Sequence, residues 1–151
     1  MSPAKFLHTC LPLLLLSVLL QTNASQQLAC IFTPKFTVRI TNNLPIYTGP
    51  LRLHCASKDN DLGYHSISLF GEFKWSFCDR FVGDTLFFCH LWWDAKDGTK
   101  TKQFDAFYSE WSPRCVSGVC NWAANEDGVY FTGYNPPEQW QKRYNWENGI
   151  I

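Results

Sequence analysis

The sequence predicts an all-β fold: a small antiparallel β-sandwich of about eight strands, stapled by disulfides. Three observations carry this. Apolar residues recur with period two and nowhere convincingly with period 3.6. Turn residues interrupt the text about every 8–15 positions. The cysteines form an even set once an N-terminal leader is set aside.

The leader comes first. Residues 1–24 hold one charged side chain, Lys5, then an apolar run from Cys10 to Leu20, then small residues ending at Ala24. That is the pattern of a secretory signal. The run is about 11 residues, against the roughly 20 of a spanning helix, so no membrane insertion is expected. Cleavage after Ala24 would split Asn23-Ala24-Ser25, the one N-x-S/T site, so no N-glycan is expected. It would also remove Cys10 and leave Cys30, Cys55, Cys78, Cys89, Cys115 and Cys120. In an oxidising compartment such a set reads as disulfides.

The strands follow in order. Phe36, Val38 and Ile40 alternate with polar neighbours, and Asn42-Asn43-Leu44-Pro45 ends the run. Leu51, Leu53 and Cys55 alternate with Arg52 and His54. Ser57 to Gly63 reads as a polar loop. His65–Phe70 and Phe73–Phe77 read as two more strands around Gly71. Thr85–Trp93 is apolar at nearly every position, which predicts a central strand covered on both faces. Asp94-Ala95-Lys96-Asp97-Gly98 is a hairpin turn, continued by Gln103–Tyr108. Val119–Ala123 and Val129–Thr132 form the last pair. Asn135-Pro136-Pro137 then stops the ladder. The domain is therefore expected over residues 25–134, with a C-terminal extension over 135–151 whose order the text leaves open.

Length and charge exclude several classes. One domain suits 151 residues. Thirteen basic against thirteen acidic residues give no footprint for a phosphate backbone, so no nucleic acid is expected. Zinc sites show two close cysteine pairs, whereas only Cys115 and Cys120 are close, so no metal is expected. Six cysteines allow 15 pairings. Cys55 and Cys89 lie inside strands that face across a sandwich, which suggests Cys55–Cys120, Cys89–Cys115 and Cys30–Cys78.

No catalytic constellation stands out. There is no G-x-S-x-G elbow, no H-E-x-x-H and no phosphate-binding glycine loop. The paired acids Asp59/Asp61 and Glu126/Asp127 sit in turns, where Asp and Asn serve local backbone. His54 lies on the polar side of its strand, and His90 reads as a satisfied edge or core histidine. No cofactor and no enzymatic activity are expected. Trp92 and Trp93 are adjacent, so one faces the core and the other faces out. Trp140 and Trp146 in the tail are candidates for exposed apolar contact.

Several blocks of text are specific. They are Val38-Arg39-Ile40-Thr41-Asn42-Asn43-Leu44, then Leu53-His54-Cys55-Ala56-Ser57-Lys58-Asp59-Asn60-Asp61-Leu62-Gly63. Gly71-Glu72-Phe73-Lys74-Trp75-Ser76-Phe77 and Thr85-Leu86-Phe87-Phe88-Cys89 follow. Cys115, Cys120-Asn121-Trp122 and Glu126-Asp127-Gly128-Val129-Tyr130 complete the series. Together they span roughly residues 36–131, and in this the chain resembles the plant self-incompatibility protein S1 family. The resemblance implies a secreted, apoplastic β-sandwich without known enzymatic activity. It implies two disulfides among Cys55, Cys89, Cys115 and Cys120, and leaves Cys30 and Cys78 as an addition. It also implies an extracellular ligand read by a plasma-membrane receptor protein on a target cell, as in pollen rejection. The loop residues Lys58, Asp59, Asn60 and Asp61, with Asp94, Lys96 and Asp97, are the candidate partner contacts. A monomer is expected. The alternative is an apoplastic defence or carbohydrate- or protein-binding module without a signalling role.

Overall fold

A computed structural model describes residues 30–149. The chain divides into a unit of residues 1–31 and one of residues 32–151. The leader expected over 1–24 lies outside the described residues. In the first unit, Cys30 is disulfide-bonded and Ile31 is exposed.

The second unit is built on ten strands: β1 (Lys35–Asn43), β2 (Leu51–Ser57), β3 (Asp61–Ile67), β4 (Glu72–Cys78), β5 (Leu86–Ala95), β6 (Gly98–Tyr108), β7 (Val119–Asn125), β8 (Gly128–Thr132), β9 (Gln141–Tyr144) and β10 (Glu147–Asn148). One short 3-10 helix, Ser109–Arg114, joins β6 to β7. The strands form two five-stranded sheets, in the orders β4-β1-β7-β8-β9 and β10-β6-β5-β2-β3. Among the described residues all pairings are antiparallel except one. β1 and β7 run parallel, with Thr37 opposite Val119 and Asn43 opposite Asn125, so the sandwich is mostly rather than wholly antiparallel.

Alternation builds the core. Val38 and Ile40 from β1, Leu51 and Leu53 from β2, and Leu91 from β5 point inward and are fully buried. Trp122 on β7 is also fully buried, with its ring against Phe104, Phe131 and Tyr144. Its indole N–H donates to the Ala106 carbonyl at 3.0 Å, which meets the one polar need of an otherwise apolar side chain. A second aromatic group joins Phe36, Phe77, Phe87 and Phe107.

Several sequence expectations change. β5 is central but alternates: Phe87, Cys89, Leu91 and Trp93 are buried, whereas Leu86, Phe88, His90 and Trp92 lie on an open face. The apolar run reflects large side chains lying flat on a half-covered sheet, not burial on two sides. The polar loop ends at Asn60, because Asp61 opens β3. The strand expected over His65–Phe70 ends at Ile67, and Phe70 turns left-handed at φ 60. Asn42, buried at the end of β1, fixes that turn. Its side-chain amide donates to the Ile67 carbonyl, its own N–H donates to Gly71, and its carbonyl accepts from Phe70.

The tail is part of the sandwich. β9 pairs with β8 in one sheet and β10 pairs with β6 in the other, so residues 141–148 clasp one flank. Trp146 anchors the clasp: its ring packs edge-on against Trp93, and its N–H donates to the Asn125 carbonyl at 2.8 Å. Trp140 remains 38% exposed.

The expected pairs Cys55–Cys120 and Cys89–Cys115 do not form; these four cysteines make two bridges among themselves, as the resemblance implied, in another pairing. Cys55 bonds Cys89, and Cys115 bonds Cys120. Cys55 and Cys89 are directly opposed on neighbouring strands of one sheet, with Cα atoms 4.1 Å apart, so neither needs a partner across the core. Cys115 and Cys120 close the turn that leads into β7, around Gly118 at φ 72. Cys78 is disulfide-bonded as well.

Candidate functional site

Strand direction decides where the candidate loops go. Ser57 lies opposite Phe87 at the start of β5, whereas Asp94 lies opposite Thr99 at its far end. The seven intervening steps, at roughly 3.3 Å each, separate the two loops by about 23 Å. The structure therefore places Lys58, Asp59, Asn60 and Asp61 at one end of the sandwich and Asp94, Lys96 and Asp97 at the other. They form two surfaces, not one.

At the far end each charge has a local partner. Asp94 takes the Arg52 guanidinium at 2.9 Å and the Thr99 hydroxyl at 3.0 Å. Lys96 sits over the Tyr47 ring, 4.3 Å from its centroid, and Tyr47 donates to Glu126 at 2.6 Å. The bond to Glu126 pushes the Tyr47 phenol up from its ordinary value. Asp97 pairs with Lys100 at 2.6 Å, and that contact holds its carboxyl below the usual range. Lys100 continues to Asn148 on β10 at 2.9 Å. These contacts tie three turns and the tail together.

The near end is different. Its β4–β5 loop raises Phe81 and Val82 to 83% and 81% exposure. Asp59 pairs with Arg80 of that loop, so the β2–β3 and β4–β5 connections are braced across a groove. The groove encloses about 500 Å³. Its floor is Phe77, Leu86, Phe87 and Phe88, and Lys58, Asp59, Arg80 and Asp84 stand at its rim. Asn60 serves the turn itself, its carbonyl accepting from the Ser57 N–H at 2.8 Å. Asp61 opens β3 with its side chain exposed on the side of His54. It accepts from the Gly63 N–H at 2.8 Å and from His54 at 2.7 Å, and these two contacts depress its carboxyl in that order. It is a fastening of β3 to β2, not a rim residue.

The strand pattern did not single out Phe81 and Val82. The signal was present in a small form: two adjacent large apolar residues between Arg80 and Gly83, where turn chemistry alone calls for none.

The open face of the β5 sheet carries a second group. Tyr64, 75% exposed, stacks on His54 with ring centroids 4.4 Å apart, and Trp92 meets its edge at 6.1 Å. Trp93 is the core member of the tryptophan pair and Trp92 the outward one. His90, opposite His54, bonds the Thr101 hydroxyl. Among the described residues no three His, Cys, Asp or Glu side chains are grouped to hold a metal ion, and no helix is long and apolar enough to cross a membrane.

Comparison with known proteins fits this frame. Residues 37–146 match the family model described as plant self-incompatibility protein S1, so the match runs through β9 and Trp146, beyond the residue 131 expected from the sequence. S-protein homolog 6 of Arabidopsis thaliana is 36% identical over 87 residues, which cover 57% of this chain and 60% of that protein's length. S-protein homolog 29 of Arabidopsis thaliana is 34% identical over 113 residues, covering 74% and 78% respectively. Self-incompatibility protein S1 of Papaver rhoeas is 34% identical over 115 residues, covering 73% and 76%. A solved structure aligns with a TM-score of 0.56 at 18% identity, over 78% of this chain and 99% of its own; it represents the self-incompatibility protein homologues, a widespread family of small, highly stable, secreted proteins from plants. That likeness supports the fold. By the extent of the family match and the relatives on either side of it, the chain belongs to the plant self-incompatibility protein S1 family.

Proposed function

We propose that the chain is an extracellular ligand read by a receptor protein in the plasma membrane of a target cell, and that the groove end of the sandwich is the surface read. On this reading residues 1–24 direct secretion and the mature chain begins at Ser25. The carrying observation is the pair Phe81 and Val82, held in water next in the chain to Arg80, whose guanidinium pairs with Asp59 at the rim of the groove. Exposed apolar side chains rimmed by charge mark interaction sites more often than chance surface. The loops that present them spring from disulfide-tied strands, so little ordering entropy is lost on binding. The Asp94–Asp97 turn, with its charges already satisfied, supports its own end and contributes little contact.

The test is binding of labelled mature protein to plant protoplasts. The expected result is saturable binding, abolished by protease treatment of the cells and reduced at least tenfold by Phe81→Ser with Val82→Ser. Binding that survives protease treatment, or that ignores both substitutions, overturns the assignment.

The Tyr64–His54–Trp92 face favours a second reading, a module that binds extracellular carbohydrate by stacking a sugar on the free face of Tyr64. A glycan array separates the two: hits lost in Tyr64→Ala support the carbohydrate module, and a blank array removes it.

A further inference from the structure

We propose that the groove between the β2–β3 and β4–β5 connections receives an aromatic side chain with a carboxylate beside it, carried on an exposed loop of the partner protein. The inference rests on the receptor-ligand reading for the partner being a protein, and adds the chemistry of the anchor.

Size and floor define the first half. A volume of about 500 Å³ falls within the roughly 300–1,000 Å³ of ligand-binding clefts. The floor is apolar. Phe77 packs against Phe87 at 4.7 Å and edge-on against Phe107 at 4.8 Å, while Phe88 and the 40%-exposed Leu86 extend outward from the same strand. An entering ring continues this tilted stack, the arrangement aromatic quadrupoles prefer. A sugar fits less well, because its hydroxyls would meet phenyl rings and lose their hydrogen bonds.

Charge at the rim defines the second half. Arg80 is committed to Asp59, and Asp84 accepts from the Tyr108 hydroxyl at 3.3 Å. Lys58 takes part in no ion pair among the described residues. Its ammonium stands at the mouth of an apolar recess without a hydrogen bond or an ion pair to those residues, whereas Asp84, the other rim charge outside an ion pair, is held by Tyr108. A carboxylate supplies one negative charge. A phosphate would call for several cations or a bidentate arginine, and the one arginine here is engaged. A basic anchor would compete with Arg80 for Asp59 and meet Lys58 as a like charge.

The experiment uses the isotopically labelled mature chain and three capped tetrapeptides: acetyl-Gly-Phe-Asp-Gly-amide, the same peptide with Asn for Asp, and the same with Ser for Phe. Amide shifts are followed by two-dimensional NMR. The Phe-Asp peptide is expected to shift residues 57–59 and 84–88 saturably. The Asn peptide, or Lys58→Gln in the protein, weakens binding about fivefold, the scale of one partly exposed ion pair. Lys58→Arg restores it, and the Ser peptide does not bind. Equal affinity for the Asp and Asn peptides, or shifts confined to other residues, overturns the inference. So does full protoplast binding by Lys58→Gln, which leaves the receptor reading standing. Peptide binding in the groove without any protoplast binding supports the anchor chemistry and counts against the receptor reading.

Discussion

The two ends of the sandwich carry similar sequence and behave differently. Both have short charged turns: Lys58-Asp59-Asn60 at one, Asp94 to Asp97 at the other. At the far end the charges are spent internally, on Arg52, Tyr47 and Lys100. At the groove end Lys58 forms no ion pair among the described residues and Phe81 and Val82 stay in water, as Ile46 and Phe70 do at the far end. Charge in a loop is therefore a poor marker of a contact surface. What distinguishes the groove end is a charge left unanswered at the mouth of an apolar recess, since exposed apolar side chains occur at both ends.

The largest perturbation tests whether both ends rest on one core. Trp122→Ala empties the centre of the aromatic packing and is expected to cost about 3–5 kcal/mol, read by denaturant unfolding. Both ends should loosen together in hydrogen exchange; protection lost at one end alone would break the comparison at its root.

Next come the disulfides. The Cys55–Cys89 and Cys115–Cys120 bridges span 34 and 5 residues, so the chain-entropy model assigns them about 4 and about 2 kcal/mol. Paired Cys→Ala variants should rank in that order by unfolding midpoint, and the reverse order would show that native strain governs. Cys115–Cys120 lies in the connection on the groove side, so its loss should also weaken protoplast binding, whereas a change confined to stability would sharpen the contrast.

Loop substitutions are smaller. Phe81→Ser with Val82→Ser should weaken protoplast binding at least tenfold, about 1.4 kcal/mol, with little change in stability. Lys96→Ala with Asp97→Asn should alter binding less than twofold. Equal losses from the two pairs would erase the distinction between the ends.

The smallest effect concerns neither end but the open sheet face between them. Burial, and then the facing His54, hold His90 below its ordinary value of 6.5. The unfolded chain thus takes up a proton at this position before the folded chain does, and stability declines as pH falls below 6.5 toward the lowered folded value. His90→Gln should flatten that decline in thermal unfolding; an unchanged slope would assign it to other groups.

Local pattern reached much of this fold and stopped where pairing begins. Eight strands were legible because alternation is a property of neighbouring residues. The parallel β1–β7 contact was not, since nothing near Thr37 encodes Val119. The pairing expected for Cys55, Cys89, Cys115 and Cys120 failed for a related reason: a place inside a strand does not say whether a partner lies across the core or alongside, and the two bridges formed are among the four that the resemblance implied. β9 and β10 were missed because Gln141-Lys142-Arg143 and Glu147-Asn148 show no apolar alternation; edge strands at a clasp need none on their outer side. The groove was half legible. Lys58 and Asp59 were identified from a loop, while Phe81 and Val82 fell between strands, in text that periodicity does not score.

The parallel pairing of β1 has a consequence for how the chain is made. β1 is the first of the described strands, yet it sits inside its sheet, and one neighbour, β7, lies 82 residues further along, as the Arg39–Asn121 contact shows. Such separation raises contact order and slows folding. Val38 and Ile40 must wait in an unfinished state until β7 has emerged, so the sheet can be completed only after synthesis of residues 119–125. Nascent chains cut short before β7 are thus expected to expose an unpaired apolar edge and to fall to quality control rather than persist as shortened products.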